Sequence, residues 1–146
     1  MLQNFSYQAP ETLKDLYALL KKSNGKATIL AGGTDLLVNM HNNWISPESL
    51  IDIKKIPDLK GVTFNPKTGL SIGATTVCIE LINNKDVKKH YPLLAEAAHN
   101  IGSPQLRNRA TIAGNLCTAS PCADMGCSLL ALGASVELGS ADGVRV

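Results

Sequence analysis

The chain has 146 residues, of which 45% are apolar and 18% are charged, a composition that fits one globular domain and excludes intrinsic disorder. Its 14 lysines and arginines and 12 acidic residues leave a net charge of only +2, and the lysines are dispersed, which argues against nucleic-acid binding. No apolar stretch approaches the roughly 18 residues of a membrane span, and the N-terminus shows no export signal, so we expect a cytoplasmic protein.

The first part of the chain is predicted to alternate strands with helices. After Pro10, apolar residues recur at i, i+3, i+4 and i+7, and Asn24-Gly25 is a left-handed cap that ends this amphipathic helix. A short buried strand then leads into two glycines. In chain order, we predict a strand at Phe5 to Gln8, a helix between Pro10 and Asn24, a buried strand at Ala27 to Ala31, a helical start at Leu36 to Val38, and a strand at Leu50 to Ile53.

The rest of the chain is predicted to begin with a hairpin and continue mainly with helices. The helix that starts at Leu93 carries an apolar side of Leu93, Leu94, Ala97, Ala98 and Ile101. The predicted elements are strands at 60–64 and 70–74 around a loop at 65–69, helices at 76–83 and 93–100, a polar site loop at 102–115, a helix at 125–132, a strand at 134–138 and a turn at 140–143. Because Val144 to Val146 begin another strand, we expect a domain cut short at its C-terminal end.

One candidate binding motif is Ile29-Leu-Ala-Gly32-Gly33-Thr34-Asp35-Leu36, with two glycines directly after a predicted strand. Successive backbone N–H groups in such a turn can point into one concavity and bind a pyrophosphate without a lysine, and Thr34 adds a hydroxyl donor. For this motif alone, an ordinary turn that needs a positive φ is the alternative. The pattern is neither GxGxxG nor GxxxxGK[ST], so it supports neither a Rossmann fold nor a P-loop.

A second small-residue motif, Thr111-Ile-Ala-Gly114-Asn115, precedes Ser120 and Asp124. The small residues would let a ligand approach the backbone closely, and Asn115, Ser120 and Asp124 add an amide, a hydroxyl and a carboxylate. Because Asp124 stands before the predicted Met125 helix, a helix N-cap is the alternative role for its carboxylate. Arg107 and Arg109 could meet a phosphate, although we expect solvated loop cations.

Together, AGGTDLL at residues 31–37 and IGSPQLRNRATIAGNLCTASPCAD at residues 101–124 resemble the FAD-binding domain of the molybdenum hydroxylases. These are xanthine dehydrogenase, carbon monoxide dehydrogenase and aldehyde oxidoreductase relatives, whose flavin sits in a medium subunit or a middle domain. The resemblance runs through essentially the whole chain. It implies an α+β, two-lobed FAD-binding fold of the vanillyl-alcohol-oxidase/PCMH type, truncated at its C-terminal end, with lobes at 1–55 and 56–146 and FAD in the cleft between them.

The resemblance implies an oxidoreductase component in which FAD passes electrons from iron–sulfur clusters to NAD or another acceptor. The implied partners are a molybdopterin-binding large subunit and a small subunit with 2Fe–2S clusters, and neither a catalytic residue nor a metal ligand is expected in this chain. Ala113 stands where the family often has glycine, which would relax the closest backbone approach.

Three groups of FAD-binding residues follow from the resemblance. One would wrap the pyrophosphate, another would add backbone and amide contacts, and the remainder would lie near the cofactor, with Asp124 hydrogen-bonded to its ribityl or ring side. In that order they are Ile29, Leu30, Ala31, Gly32, Gly33, Thr34, Asp35 and Leu36; then Thr111, Ile112, Ala113, Gly114 and Asn115; then Ile101, Ser120 and Asp124.

Two other functions remain open. A stand-alone FAD-dependent oxidoreductase similar to UDP-N-acetylmuramate dehydrogenase or a vanillyl-alcohol-type oxidase would share the fold, although residues 104–111 are closer to the molybdenum hydroxylase pattern. A metal or iron–sulfur module could use Cys117, Cys122 and Cys127, which are each separated by four residues. Zinc sites favour two to four intervening residues, and a fourth ligand would have to be Cys78 or a histidine. We expect free thiols, with Cys78 and Cys127 buried as small apolar residues.

Overall fold

The fold comes from a computed structural model, which describes residues 4–146. The strands are β1 (Ser6–Gln8), β2 (Ala27–Leu30), β3 (Ser49–Asp52), β4 (Val62–Asn65), β5 (Gly69–Ile72), β6 (Leu138–Ser140) and β7 (Gly143–Arg145). The helices are α1 (Leu13–Ser23), α2 (Leu36–His41), α3 (Cys78–Asn83), α4 (Lys85–His90), α5 (Pro92–Asn100), α6 (Pro104–Arg107), α7 (Ile112–Thr118) and α8 (Asp124–Ala131), with a 3-10 turn at Pro57–Leu59.

The chain divides into two compact units. The first contains the chain up to Leu30, Asp35–Asp58 and Ser135–Val146, and the second contains Ala31–Thr34 and Leu59–Ala134. These units differ from the predicted lobes at 1–55 and 56–146 because the glycine turn belongs with the second unit and the C-terminal hairpin with the first. The assignment of two FAD-binding lobes stays a prediction.

A three-stranded parallel sheet forms the centre of the first unit. Its order is β1-β3-β2, so β3 pairs on both sides and β2 lies at an edge. Leu50, Ile51 and Asp52 of β3 are buried, whereas in β2 only Leu30 is buried and Ile29 is 45% exposed. The prediction of a buried strand at Ala27 to Ala31 is therefore wrong in its burial, because an edge strand is covered by fewer neighbours.

Local signals correctly predict α1 in the same unit. The Thr12 hydroxyl accepts a hydrogen bond from Asp15 N at 3.1 Å, which caps the start of the helix. Asn24 has a φ of 47° and ends it in the left-handed conformation. Leu16 is buried on the inner face of α1. The hydroxyl of Tyr17 lies where a Cβ on Gly139 would stand, so the β6–β7 hairpin approaches α1 closely at that glycine.

The second unit contains an antiparallel hairpin and an apolar helical core. Asn65 pairs with Gly69 between β4 and β5, which confirms the predicted hairpin. The buried core residues are Cys78, Leu81, Val87, Leu94, Ala97, Ala98, Ile101, Ala110, Ile112 and Met125.

Burial along α5 corrects the predicted apolar side. Leu94, Ala97, Ala98 and Ile101 follow i, i+3, i+4 and i+7 and are buried, whereas Leu93 is 43% exposed. Leu93 precedes that series by one residue, about 100° around the helix, and therefore lies outside the apolar stripe.

Three segments of the second half of the chain differ from their predictions. The predicted site loop at 102–115 contains α6 and the start of α7, capped by the hydroxyls of Ser103 and Thr111. Helix α4 was not predicted, and the side chain of Asn84 caps it. Residues 134–137 form no strand: Ala134 N donates to Leu129 O at 2.9 Å and completes the end of α8. The predicted turn at 140–143 is confirmed, because it joins β6 to β7.

Among residues 4–146, no helix combines the length and the apolar character that crossing a membrane requires.

Candidate functional site

The glycine turn contacts the chain just before α7. A Cβ on Gly32 would collide with the carbonyl oxygen of Arg109 and lie 3.2 Å from the Cα of Ala110, so only glycine permits this approach. Gly33 has a φ of 80°, a conformation that also favours glycine. Residues 31–34 of the first motif therefore pack against the residues just before the second motif, within one unit. Local sequence patterns predict a turn at each motif, but they do not show that the two segments are in contact.

The start of α7 is held in place from two directions. Thr111 Oγ1 accepts a hydrogen bond from Gly114 N at 3.0 Å and caps the helix. A Cβ on Gly114 would lie only 2.8 Å from that hydroxyl oxygen. From α3, Cys78 N donates to Ala110 O at 2.9 Å, and Val77 forms an isolated β-bridge with Thr111. The cap geometry therefore favours glycine at position 114.

Asn115 carries an acceptor without a partner. Its Oδ1 is buried and receives no hydrogen bond from any described residue, while its backbone N donates to Thr111 O at 3.0 Å. Buried polar atoms are nearly always hydrogen-bonded, and one left unsatisfied destabilises the fold. FAD carries hydroxyl, amine and imide donors that could satisfy this oxygen. The arrangement of Asn115 therefore fits a cofactor of this chemistry.

The remaining predicted site residues have different environments. The Ser120 hydroxyl accepts a hydrogen bond from Cys122 N at 3.3 Å and is exposed. Asp124 is exposed and is the first residue of α8, whose N-cap is Ala123, so the N-cap alternative for Asp124 is wrong. Ala123 has the extended backbone of a cap, whereas Asp124 is already helical. The side chain of Ile101 packs in the apolar core.

Arg107 caps the end of α5, a role that the sequence analysis missed. Its Nη1 donates to the carbonyl oxygens of His99 at 2.6 Å, Ile101 at 3.2 Å and Gly102 at 3.1 Å. The expectation of a solvated cation is therefore wrong for Arg107, because the last carbonyls of a helix lack partners within the helix and attract donors. Arg109 is exposed as expected, and it is its backbone that contacts the glycine turn.

The cysteines have two kinds of environment. Cys78 is buried, and burial raises the pKa of its thiol to about 11. Cys117, Cys122 and Cys127 are exposed, so the prediction that Cys127 is buried is wrong: α8 turns Met125 and Ser128 inward instead. All four are free thiols. Within the part of the chain that the structure describes, no three metal-binding side chains come together.

A polar network at the carboxyl end of β3 also escaped the sequence analysis. The Tyr7 hydroxyl donates to Asp52 Oδ2 at 2.6 Å, Lys54 Nζ donates to the same oxygen at 2.7 Å, and Lys54 N donates to Oδ1 at 2.9 Å. Burial acts to raise the pKa of Asp52, but the hydrogen bonds from Lys54 and Tyr7 outweigh it and lower that pKa. The pKa of Tyr7 is raised because its hydroxyl is bonded to the carboxylate.

Comparison with solved structures defines the class of fold. The chain matches carbon monoxide dehydrogenase from Oligotropha carboxidovorans with a TM-score of 0.95 at 34% identity. It matches quinoline 2-oxidoreductase from Pseudomonas putida 86 with a TM-score of 0.94 at 29% identity. Each match covers 99% of this chain and 50% of the solved one. The mixed arrangement of helices and strands is therefore shared with chains of these oxidoreductases.

Comparison of sequences identifies the family. The family model described as "FAD binding domain in molybdopterin dehydrogenase" matches residues 3–146. The nicotinate dehydrogenase FAD-subunit of Eubacterium barkeri is 36% identical over 99% of this chain and 49% of its own length. The carbon monoxide dehydrogenase medium chain of Hydrogenophaga pseudoflava is 44% identical over 80% of this chain and 40% of its own.

The chain belongs to the family of FAD-binding domains of molybdopterin dehydrogenases, and its cofactor is FAD. It spans about half the length of the relatives that it matches over nearly all of its residues.

Proposed function

We propose that this chain is the FAD-binding part of an electron-transfer component in a molybdopterin-dependent dehydrogenase or hydroxylase. In this role, FAD takes electrons from iron–sulfur clusters and passes them to NAD or another acceptor. The names FAD-subunit and medium chain, carried by relatives at 36% and 44% identity, support an assembly of several subunits. The partners are then a large molybdopterin-binding subunit and a small iron–sulfur subunit. The wider fold is the two-lobed PCMH type, and the free thiols fit a cytoplasmic location.

The main observation in support of the proposed FAD site is the buried Oδ1 of Asn115, which has no hydrogen-bond partner among the described residues. It lies in the helix whose preceding residues, Arg109 and Ala110, contact Gly32. Within the second unit, the proposed binding region combines the backbone of residues 31–34 with that of residues 111–115. Asp124 and Ser120 add exposed polar groups after α7. We assign the pyrophosphate to the glycine turn and a cofactor donor to Asn115.

The role of the protein residues is to bind and orient, since the bound flavin itself supplies the redox chemistry. Gly32 and Gly33 let backbone N–H groups approach an anionic cofactor without a bulky side chain between them. The Thr111 cap sets the orientation of the first turn of α7, from which Asn115 extends. Electron transfer needs neither a general acid nor a nucleophile, which agrees with a site made of backbone, amide and hydroxyl groups.

FAD binding is tested with the protein as isolated from its host. We expect oxidised-flavin absorption bands in the spectrum, and a colourless protein that also takes up no added FAD would disprove the proposal. Asn115→Ala should weaken FAD affinity by about tenfold or more, since one lost hydrogen bond in a buried site removes roughly 1.4 kcal/mol. Asn108→Ala is the matched control, because Asn108 lies in the same segment but is exposed, and its side-chain amide donates to Pro104 O at 2.8 Å.

The proposed partners are tested separately by co-purification. A small iron–sulfur subunit and a large molybdopterin subunit should accompany the protein. A protein that catalyses its complete reaction alone would instead support a stand-alone FAD-dependent oxidoreductase.

A further inference from the structure

We propose that the Arg109 side chain binds the pyrophosphate of FAD at the glycine turn, where it adds a positive charge to the backbone N–H groups. Arg109 and residues 31–34 belong to the same compact unit. The inference rests on the proposed function and deepens it, because Arg109 lies outside the three groups of predicted FAD-binding residues.

The backbone of Arg109 is held directly against the turn. A Cβ on Gly32 would collide with the carbonyl oxygen of Arg109 and stand 3.1 Å from its carbonyl carbon. Arg109 N donates to Leu106 O at 2.9 Å, and Ala110 N donates to the same oxygen at 2.8 Å. The position from which the Arg109 side chain extends is therefore fixed beside Gly32. A long side chain that starts there is able to reach an anion bound at the turn.

The guanidinium of Arg109 is available for such an anion. The residue is exposed, and its side chain makes no ion pair or hydrogen bond within residues 4–146. Arg107 differs, because its Nη1 already donates to three carbonyl oxygens around the end of α5. The segment before α7 therefore contains one arginine engaged by the fold and one whose donors are unused.

A pyrophosphate at the glycine turn needs a positive charge that the turn itself lacks. Residues 31–34 are Ala-Gly-Gly-Thr, which offer backbone N–H groups and a hydroxyl but no cation. A guanidinium is always charged and donates two parallel hydrogen bonds to the oxygens of a phosphate. Because Arg109 is exposed, salt screens its attraction for the anion. Its contribution to FAD affinity should therefore depend on ionic strength.

Three substitutions separate a direct contact from a general effect of charge. Arg109→Gln removes the charge, whereas Arg109→Lys keeps the charge but loses the paired donors. Lys67→Gln is the matched control, because Lys67 is an exposed cation of the same unit in the loop between β4 and β5. Arg109→Gln and Lys67→Gln change the net charge equally.

The experiment measures the FAD dissociation constant of each variant in the protein as isolated from its host, at two salt concentrations. We expect Arg109→Gln to raise the constant about tenfold at about 0.1 M salt and less than about threefold at about 1 M, where the screening length is about 3 Å. Arg109→Lys should lose less affinity than Arg109→Gln, and Lys67→Gln should stay within about threefold of wild type at both concentrations.

Competition with FAD identifies the part of the cofactor that Arg109 contacts. The probes are ADP, which carries a diphosphate, and adenosine, which carries none. Arg109→Gln should weaken the competition by ADP and leave that by adenosine unchanged. An equal effect on the two probes would overturn the assignment to the pyrophosphate.

The remaining outcomes separate this inference from the proposed function. Equal FAD affinities of wild type and Arg109→Gln at low salt overturn the role of Arg109 and leave the proposed function intact. Equal losses in Arg109→Gln and Lys67→Gln also overturn it, because net charge alone then explains the change. A wild type that binds no FAD overturns both the proposed function and the inference that rests on it.

Discussion

Asp52 in the first unit and Asn115 in the second show two ways of burying a polar atom. The Asp52 carboxylate receives three hydrogen bonds, from Tyr7 and Lys54. Asn115 Oδ1 is equally withdrawn from solvent but receives none within the described chain. A buried group that is fully satisfied stabilises the fold, whereas a buried group left unsatisfied lowers stability until something binds to it. The contrast therefore separates a group that serves the fold from one that is suited to a ligand.

The sharpest test of this contrast is the stability of FAD-free protein. Asp52→Ala should lower the free energy of unfolding by about 3 kcal/mol, because it removes a buried carboxylate that accepts three hydrogen bonds. Asn115→Leu should leave it unchanged or raise it by up to about 1 kcal/mol, because it removes an unsatisfied acceptor at similar volume. Chemical denaturation measures both. Similar losses of stability in Asp52→Ala and Asn115→Leu would mean that the two buried groups do not differ in their contribution to the fold.

The two units should also lose stability at opposite ends of the pH range. The pKa of Asp52 is lowered in the fold, so its contribution is complete above the ordinary value of 3.8 and is lost as pH falls through the lower folded value. The pKa of Cys78 is raised to about 11 from 9.0, so the fold keeps its proton where the unfolded chain releases it. Stability should fall by about 2 kcal/mol as pH rises from 9 towards 11.

Denaturation at a series of pH values, with Cys78→Ala as the comparison, measures this alkaline loss. The loss should be absent from Cys78→Ala, and the acid loss should persist in it. An alkaline profile that Cys78→Ala leaves unchanged would assign the effect to another group.

Within the second unit, the glycine turn should tolerate less added volume than a helix surface. Gly32→Ala places a methyl group against the Arg109 carbonyl and should lower stability by about 1–2 kcal/mol. Gly126→Ala is the control, because a Cβ there has no neighbour within 4 Å and helix propensity favours alanine. Thermal unfolding compares them. A Gly32→Ala variant as stable as wild type would mean that the two motifs do not pack closely.

The smallest expected effect on stability concerns Arg107, whose guanidinium is hydrogen-bonded within the second unit. Arg107→Ala should lower the free energy of unfolding by about 1 kcal/mol, because three carbonyl oxygens near the end of α5 lose their donor while retaining access to some solvent. Arg109→Ala should change it by less than about 0.5 kcal/mol, because that side chain is exposed. Denaturation of the two variants side by side decides whether Arg107 serves the fold, as Asp52 does.

Local patterns predicted much of the fold because their causes lie within a few residues. The apolar spacing of α1, its cap at Asn24 and the hairpin closed by Asn65 and Gly69 all depend on neighbouring side chains. Errors arose where local signals were weak or ambiguous. The turn-rich segment at 102–115 contains short helices, because hydroxyl caps and proline at a first helical position start a helix as readily as they make a loop.

The sequence by itself determined where the two glycine-containing motifs lie, which residue types they offer and, through their joint resemblance, which family they belong to. Only the tertiary structure decided that Gly32 meets Arg109, that Arg107 caps α5, that Asp52 gathers three donors and that Asn115 keeps a buried free acceptor. The physical reason is distance along the chain. A turn or a helix follows from residues that are neighbours in sequence, whereas burial and long-range hydrogen bonds depend on which faces of separate elements come together.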